Sequence, residues 1–204
     1  MNSKLNFAMT PLIAVLAAGV LLLGSWGAIA RAQGETASIR PGSHEQVLYS
    51  FSNAPGADYH SVAGLIYDAA GNLYGTTDFG GSRGGGAVFE LSPQSGGGWT
   101  QTVLHNFHSD SQDGSHSWDG LIFDASGNLY GTTPDGGVNG KGAVFELSPQ
   151  SGGGWSEQIL YSFGYGPDGS QPFGGLVSDT AGNLYGTTEY GGADSDGTVF
   201  ELSP

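Results

Sequence analysis

The sequence predicts an all-β chain, a β-propeller-like array of about three four-stranded blades. Three observations carry that prediction. GNLYGTT occurs at Gly71–Thr77, Gly127–Thr133 and Gly182–Thr188, and VFELSP recurs in step at Val88–Pro93, Val144–Pro149 and Val199–Pro204. Each repeat of about 55 residues holds four short runs of Val, Ile, Leu, Tyr, Phe and Thr divided by Gly, Pro, Asp, Asn and Ser, the composition of strands and turns. No stretch after residue 32 keeps a helical period.

Along the chain, residues 1–32 read as a signal peptide. Lys4 supplies the positive end, Leu12 to Leu23 the apolar core, and Ala30-Arg31-Ala32 the small-x-small cleavage site before Gln33. The alternative, an uncleaved anchor from Met9 to Ile29, is interrupted by Pro11, Gly19, Gly24 and Gly27. No Cys stands at the cleavage site, which excludes a lipoprotein. The chain is therefore expected outside the cytoplasm, secreted or periplasmic. Residues 33–46 form a linker. The repeat domain spans 47–204, with a closing strand at 47–51 and units at about 64–107, 120–163 and 175–204.

In the first unit the strands are expected at Gly64–Asp68, Asn72–Thr77, Ala87–Leu91 and Trp99–Phe107. Asp68 to Asn72 reads as a hairpin turn, since Asp can close an Asx-turn and Gly can take positive φ. Alternation puts Phe89 and Leu91 on one face and Val88 and Glu90 on the other. Leu65 and Tyr67 likewise oppose Ile66. Apolar residues on both faces require cover on both faces. Sheets packed face to face around an axis supply it, with an open β-solenoid as the alternative. The single strand before the first unit and the three of the last would share a closing blade. Propellers have roughly four to eight blades, so the chain reads as part of a longer array or as half of a dimeric ring.

The pattern GLxxDxxGNLYGTTxxGG…GxVFELSP…W…VLYSF resembles the GloVer (Gloeobacter–Verrucomicrobia) tandem repeat of exported bacterial proteins. The resemblance covers Val47 to Pro204. DxxGNLYGTT is also similar to the DxxGxLWxGT hairpin of two-component-regulator propellers. The resemblance implies a secreted or surface-displayed protein with no assigned catalytic residues. The resemblance also implies a choice of C-terminal anchors among relatives, and surface attachment of this chain is left open.

Composition excludes several functions. With no Cys there is no disulfide framework, thiolate zinc site or thiol nucleophile. A net charge of −14 leaves no basic stripe for nucleic acid. Signal cleavage would leave Arg40, Arg83 and Lys141 as the only Lys and Arg against 19 acids, which disfavours anionic membranes.

The candidate ligand-binding residues lie in the variable loops after VLYSF and its copies, VLHNF and ILYSF. Repeat alignment brings together Asp58, Asp113 and Asp168; His60, His116 and Gln171; and Val62, Trp118 and Phe173, with Tyr59 beside them. Variable loops on a fixed scaffold are where an extracellular glycan or protein would bind. The alternative is that Asp caps a turn and the aromatic plugs a blade joint. Asp110 to Gly114 and Asp194 to Gly197 lack calcium-loop spacing. His105, standing where Tyr49 and Tyr161 stand, reads as a strand residue, and no metal or cofactor is expected. Glu90, Glu146 and Glu201 repeat identically, which argues for structure, and no G-x-S-x-G elbow occurs. The expected function is an exported binding or display module, not an enzyme. The alternatives are an extracellular propeller hydrolase or lyase, or a purely structural surface protein.

Overall fold

Each hairpin begins with an aspartate. In the computed structural model, which describes residues 44–52, 57–108, 113–164 and 166–204, Asp68 Oδ1 accepts the N–H groups of Ala70 and Asn72, both at 2.9 Å. Its Oδ2 accepts Asn72 Nδ2 at 2.9 Å and the Tyr74 hydroxyl at 3.1 Å. Asp124 and Asp179 repeat this set. The turn thus fixes the register of the strands beside it.

These hairpins organise three antiparallel sheets. The first runs β1 (Ile66–Tyr67), β2 (Leu73–Thr77), β3 (Gly84–Pro93) and β4 (Trp99–His108) in spatial order. After β5 (Gly114–Ser115), the second is built from β6 (Ile122–Phe123), β7 (Leu129–Thr133), β9 (Ala143–Pro149) and β10 (Trp155–Ser162), with β8 (Asp135–Gly136) pairing β5. After β11 (Gly169–Ser170), the third holds β12 (Val177–Ser178), β13 (Leu184–Thr188) and β15 (Thr198–Leu202), with β14 (Tyr190–Gly191) pairing β11. A Tyr59–Phe79 bridge is the first unit's counterpart of the two small pairs. The fold is all-β in several small sheets, none of them closed. Among the described residues every ladder stays within its own unit, unlike a solenoid, where strands would pair from one turn to the next. No described helix is long and apolar enough to cross a membrane.

Two expectations need correction. The first strand of each unit shrinks to two residues: only Ile66 and Tyr67 and their counterparts pair, and Asp68 N–H closes the hairpin on Asn72 O. Residues 47–51 form no ladder; side chains hold them instead, Tyr49 through Gln101 and Phe51 against Phe89. The signal segment 1–32 and the linker up to residue 43 lie outside the described residues.

The core lies between units. Val88 of the first unit packs with Leu121, Phe145 and Leu147 of the second, and Val144 of the second with Leu176, Phe200 and Leu202 of the third. The predicted alternation therefore holds: Val faces the following unit, Phe and Leu the preceding one. Phe51–Phe89, Phe107–Phe145 and Phe163–Phe200 meet edge to face, each pair with centroids 5.1 Å apart. The Gly of LYGTT makes room for the second ring of each pair. A Cβ on Gly131 would lie 2.6 Å from Phe145 Cζ and 3.0 Å from Leu121 Cδ2.

Gly131→Ala is therefore expected to lose about 1–3 kcal/mol of stability by urea denaturation. Gly152→Ala, whose Cβ would meet nothing within 4 Å, should stay within about 0.5 kcal/mol of the parent.

Candidate functional site

The loops after VLYSF are held by a strained backbone. His60, His116 and Gln171 have φ of 59°, 60° and 55°, a left-handed conformation uncommon outside glycine. Hydrogen bonds across the unit boundary over-determine it. The N–H of His116 donates to Gly85 O at 2.9 Å, and that of Gln171 to Lys141 O at 2.8 Å. Thr76 Oγ1 donates to Ser117 O and Asp119 O, and Thr132 Oγ1 to Gly174 O. At His116 and Gln171 the aligned polar position is thus an inter-unit latch.

Around the latches the structure gathers aromatic rings. Tyr59 stacks on Phe79 with centroids 5.8 Å apart, His60 meets the same ring at 5.5 Å, and His116 meets it at 4.9 Å. Beside them Asp78 is a buried anchor. Trp118 Nε1 donates to its Oδ1 at 2.7 Å. His116 Nδ1 lies 2.9 Å from Asp78 O and 3.0 Å from Asp78 Oδ1, two acceptors, so that nitrogen carries the proton. The anchored indole of Trp118 remains 49% exposed and meets Phe173 at 5.2 Å. These two rings, with Gly174, Thr187, Thr188 and Glu189, line an open groove of ≈ 370 Å³.

The aligned aspartates lie apart from that groove and brace loops. Asp168 accepts the N–H groups of Gly164 and Gly169 and the Tyr161 hydroxyl. Asp58 takes Gln101 Nε2 at 2.8 Å, and burial nevertheless raises its carboxyl above the usual range. Of the expected residues, Tyr59, His60, His116, Trp118 and Phe173 therefore share the aromatic surface, Gln171 serves as a latch, and Asp58, Asp113 and Asp168 act as loop braces. Asp78, Phe79 and Glu189 escaped the sequence reading, because they follow GTT rather than VLYSF.

Residues 17–204 match the Gloeobacter/Verrucomicrobia repeat. The chain belongs to that family. A comparison with curated proteins finds no match.

Within this GloVer chain the identical glutamates stay local. Glu90 Oε1 accepts the Ser92 hydroxyl at 2.6 Å and Glu146 Oε1 that of Ser148 at 2.8 Å. Among the described residues, the group of three that could hold a metal ion is instead His105, Asp113 and Glu157. Glu157 lies between VFELSP and ILYSF, outside every string that repeats, so the repeat alone does not single it out. Aligning WTQTVL with WSEQIL shows the change from Gln101 to Glu157. Burial, then a hydrogen bond with Asp113 and its charge, pushes the Glu157 carboxyl up to about 8. Burial would also raise Asp113, but hydrogen bonds from His105, Glu157 and the His108 N–H overcome it and hold that carboxyl below its usual range.

These shifts fix a pH dependence. Between the ordinary Glu value of 4.5 and about 8, folded Glu157 keeps a proton that the unfolded chain has released. Stability from this group therefore falls as pH rises through that window. Asp113 acts the other way at lower pH: its stabilisation is complete above its ordinary value of 3.8 and lost as pH falls through the depressed folded value. In metal-free buffer, urea midpoints at pH 5 and pH 8 should differ less for Glu157→Gln than for the parent. Equal differences would contradict the assignment.

Proposed function

We propose that this GloVer chain is an exported, non-enzymatic binding module that presents the Trp118–Phe173 groove to an extracellular glycan. Export rests on the signal-like pattern of residues 1–32. The observation that carries the glycan reading is the exposed aromatic pair with polar groups at its rim. A sugar ring offers apolar C–H faces to Trp118 and Phe173 and hydroxyls to Thr187 and Glu189. The Asp78 hydrogen bond holds the indole in place before a ligand arrives, which lowers the ordering cost of binding.

The units are read as propeller-like blades, either part of a longer array or half of a ring that a second copy completes. Val199 is 81% exposed, whereas Val88 and Val144, its counterparts, are fully buried by a following unit. A second copy's Leu65 and Tyr67, themselves exposed, belong to the complementary face. Val62, the first unit's counterpart of Trp118, would approach the groove and is the smallest of the three aligned side chains.

A second reading, an extracellular hydrolase or lyase, is favoured by the non-repeated His105–Asp113–Glu157 cluster. It ranks second because those side chains are only 20%, 12% and 17% exposed and none lines the groove.

A glycan array followed by titration tests the main reading. Trp118→Ala and Phe173→Ala should each weaken binding by about tenfold or more, as loss of a well-packed aromatic contact does. Absence of any glycan binding would sink it. For the ring, light scattering behind a sizing column should report a dimer that Val199→Asp converts to monomer. A parent monomer would overturn the closure.

A further inference from the structure

The repeats bring the same positions together at successive junctions, and the junctions differ in their chemistry. At the first, the Tyr49 hydroxyl donates to Gln101 Oε1 at 2.7 Å, and Gln101 Nε2 donates to Asp58 Oδ2 at 2.8 Å. At the third, the Tyr161 hydroxyl donates to Asp168 Oδ1 at 2.8 Å. In both, a neutral donor meets the aspartate. At the second junction the tyrosine has become His105 and the glutamine Glu157. The amide donor is gone and a second carboxyl has arrived.

The resulting geometry suits a cation. His105 Nε2 lies 3.2 Å from Asp113 Oδ2 and 3.8 Å from Glu157 Oε1. All three ligand atoms fall within 4.8 Å of one another. Glu157 Oε1 is shut off from solvent and accepts no hydrogen bond. Asp113 is already oriented, with Oδ2 on the His108 N–H at 2.9 Å and Oδ1 on the Gly114 N–H at 2.8 Å. Metal–ligand bonds of about 2.0–2.2 Å in a tetrahedral site separate the donors by roughly 3.3–3.6 Å. The distances from His105 Nε2 to the two carboxylates, 3.2 and 3.8 Å, bracket that spacing. Strand β4 supplies the histidine, β10 the glutamate and the intervening loop the aspartate, so an ion here would also tie the first unit to the second.

The geometry points to a binding site for a divalent transition-metal ion of the zinc class, held by His105 Nε2, Asp113 and Glu157. One imidazole and two carboxylates form a mixed donor set suited to such ions. Three protein ligands leave a fourth position for water. The site shares no residue with the aromatic groove and stands independently of the glycan reading.

The chain carries its own control. His105→Tyr combined with Glu157→Gln rewrites the second junction in the residues of the first, Tyr49 and Gln101, a combination the fold already accommodates. The whole purified chain, stripped with EDTA, is titrated with zinc chloride by calorimetry, and its melting is followed with and without zinc. The parent is expected to bind one zinc per chain at micromolar concentration or tighter and to melt higher with zinc. The double variant should unfold cooperatively at a urea midpoint no lower than the parent's and lose that binding by about 100-fold or more. Should the double variant fail to fold, Glu157→Gln alone, which keeps His105, must still weaken zinc by about tenfold or more. No saturable binding by the parent at high micromolar zinc would overturn the site, leaving a proton shared between the carboxyls. Equal binding by parent and variants would overturn it as well, by moving the ion to surface acids.

Discussion

A sheet of four short strands with apolar side chains on both faces has no core of its own. Everything else in this protein follows from that constraint. Val88 and Phe89 sit next to each other in one strand and are both buried, so this sheet needs cover on both faces. The edge-to-face phenylalanine pairs set the spacing between units, and Gly75, Gly131 and Gly186 let the rings approach the facing backbone. The repeated glycine is thus a packing requirement, whereas Gly71 and its counterparts, with φ of 85–89°, serve the turn.

The same dependence on neighbours places the functional surface. Backbone groups left free in the loops find partners across the boundary, as at His116 with Gly85 and Gln171 with Lys141. Buried polar groups need such partners. Their arrangement holds the loops in left-handed backbone that the sequence would not otherwise favour. Trp118 is thereby anchored by an aspartate of the preceding unit while its ring stays exposed.

Repetition also lets one junction differ without disturbing the others. The first accommodates Tyr, Asp and Gln in a closed donor–acceptor chain, while the second holds His, Asp and Glu in the same scaffold. Polar chemistry can vary at this position because the adjoining phenylalanine contacts, identical in all units, carry the packing.

Much of the fold was legible from sequence alone. The repeat period, the Asp-x-x-Gly-Asn hairpins, the alternation of Val88 against Phe89 and the family all follow from local spacing, because turn chemistry and strand period are local properties. The aligned position of His60, His116 and Gln171 was also visible, although its role was not. Backbone strain and its relief at Gly85 and Lys141 exist only once two units meet. Tertiary structure alone decided that Asp78 would anchor Trp118, that residues 47–51 would pack without pairing, and that His105 and Glu157 would face each other across β4 and β10. Each of these joins residues far apart in the chain, and no local pattern encodes which neighbour a stacked face will meet.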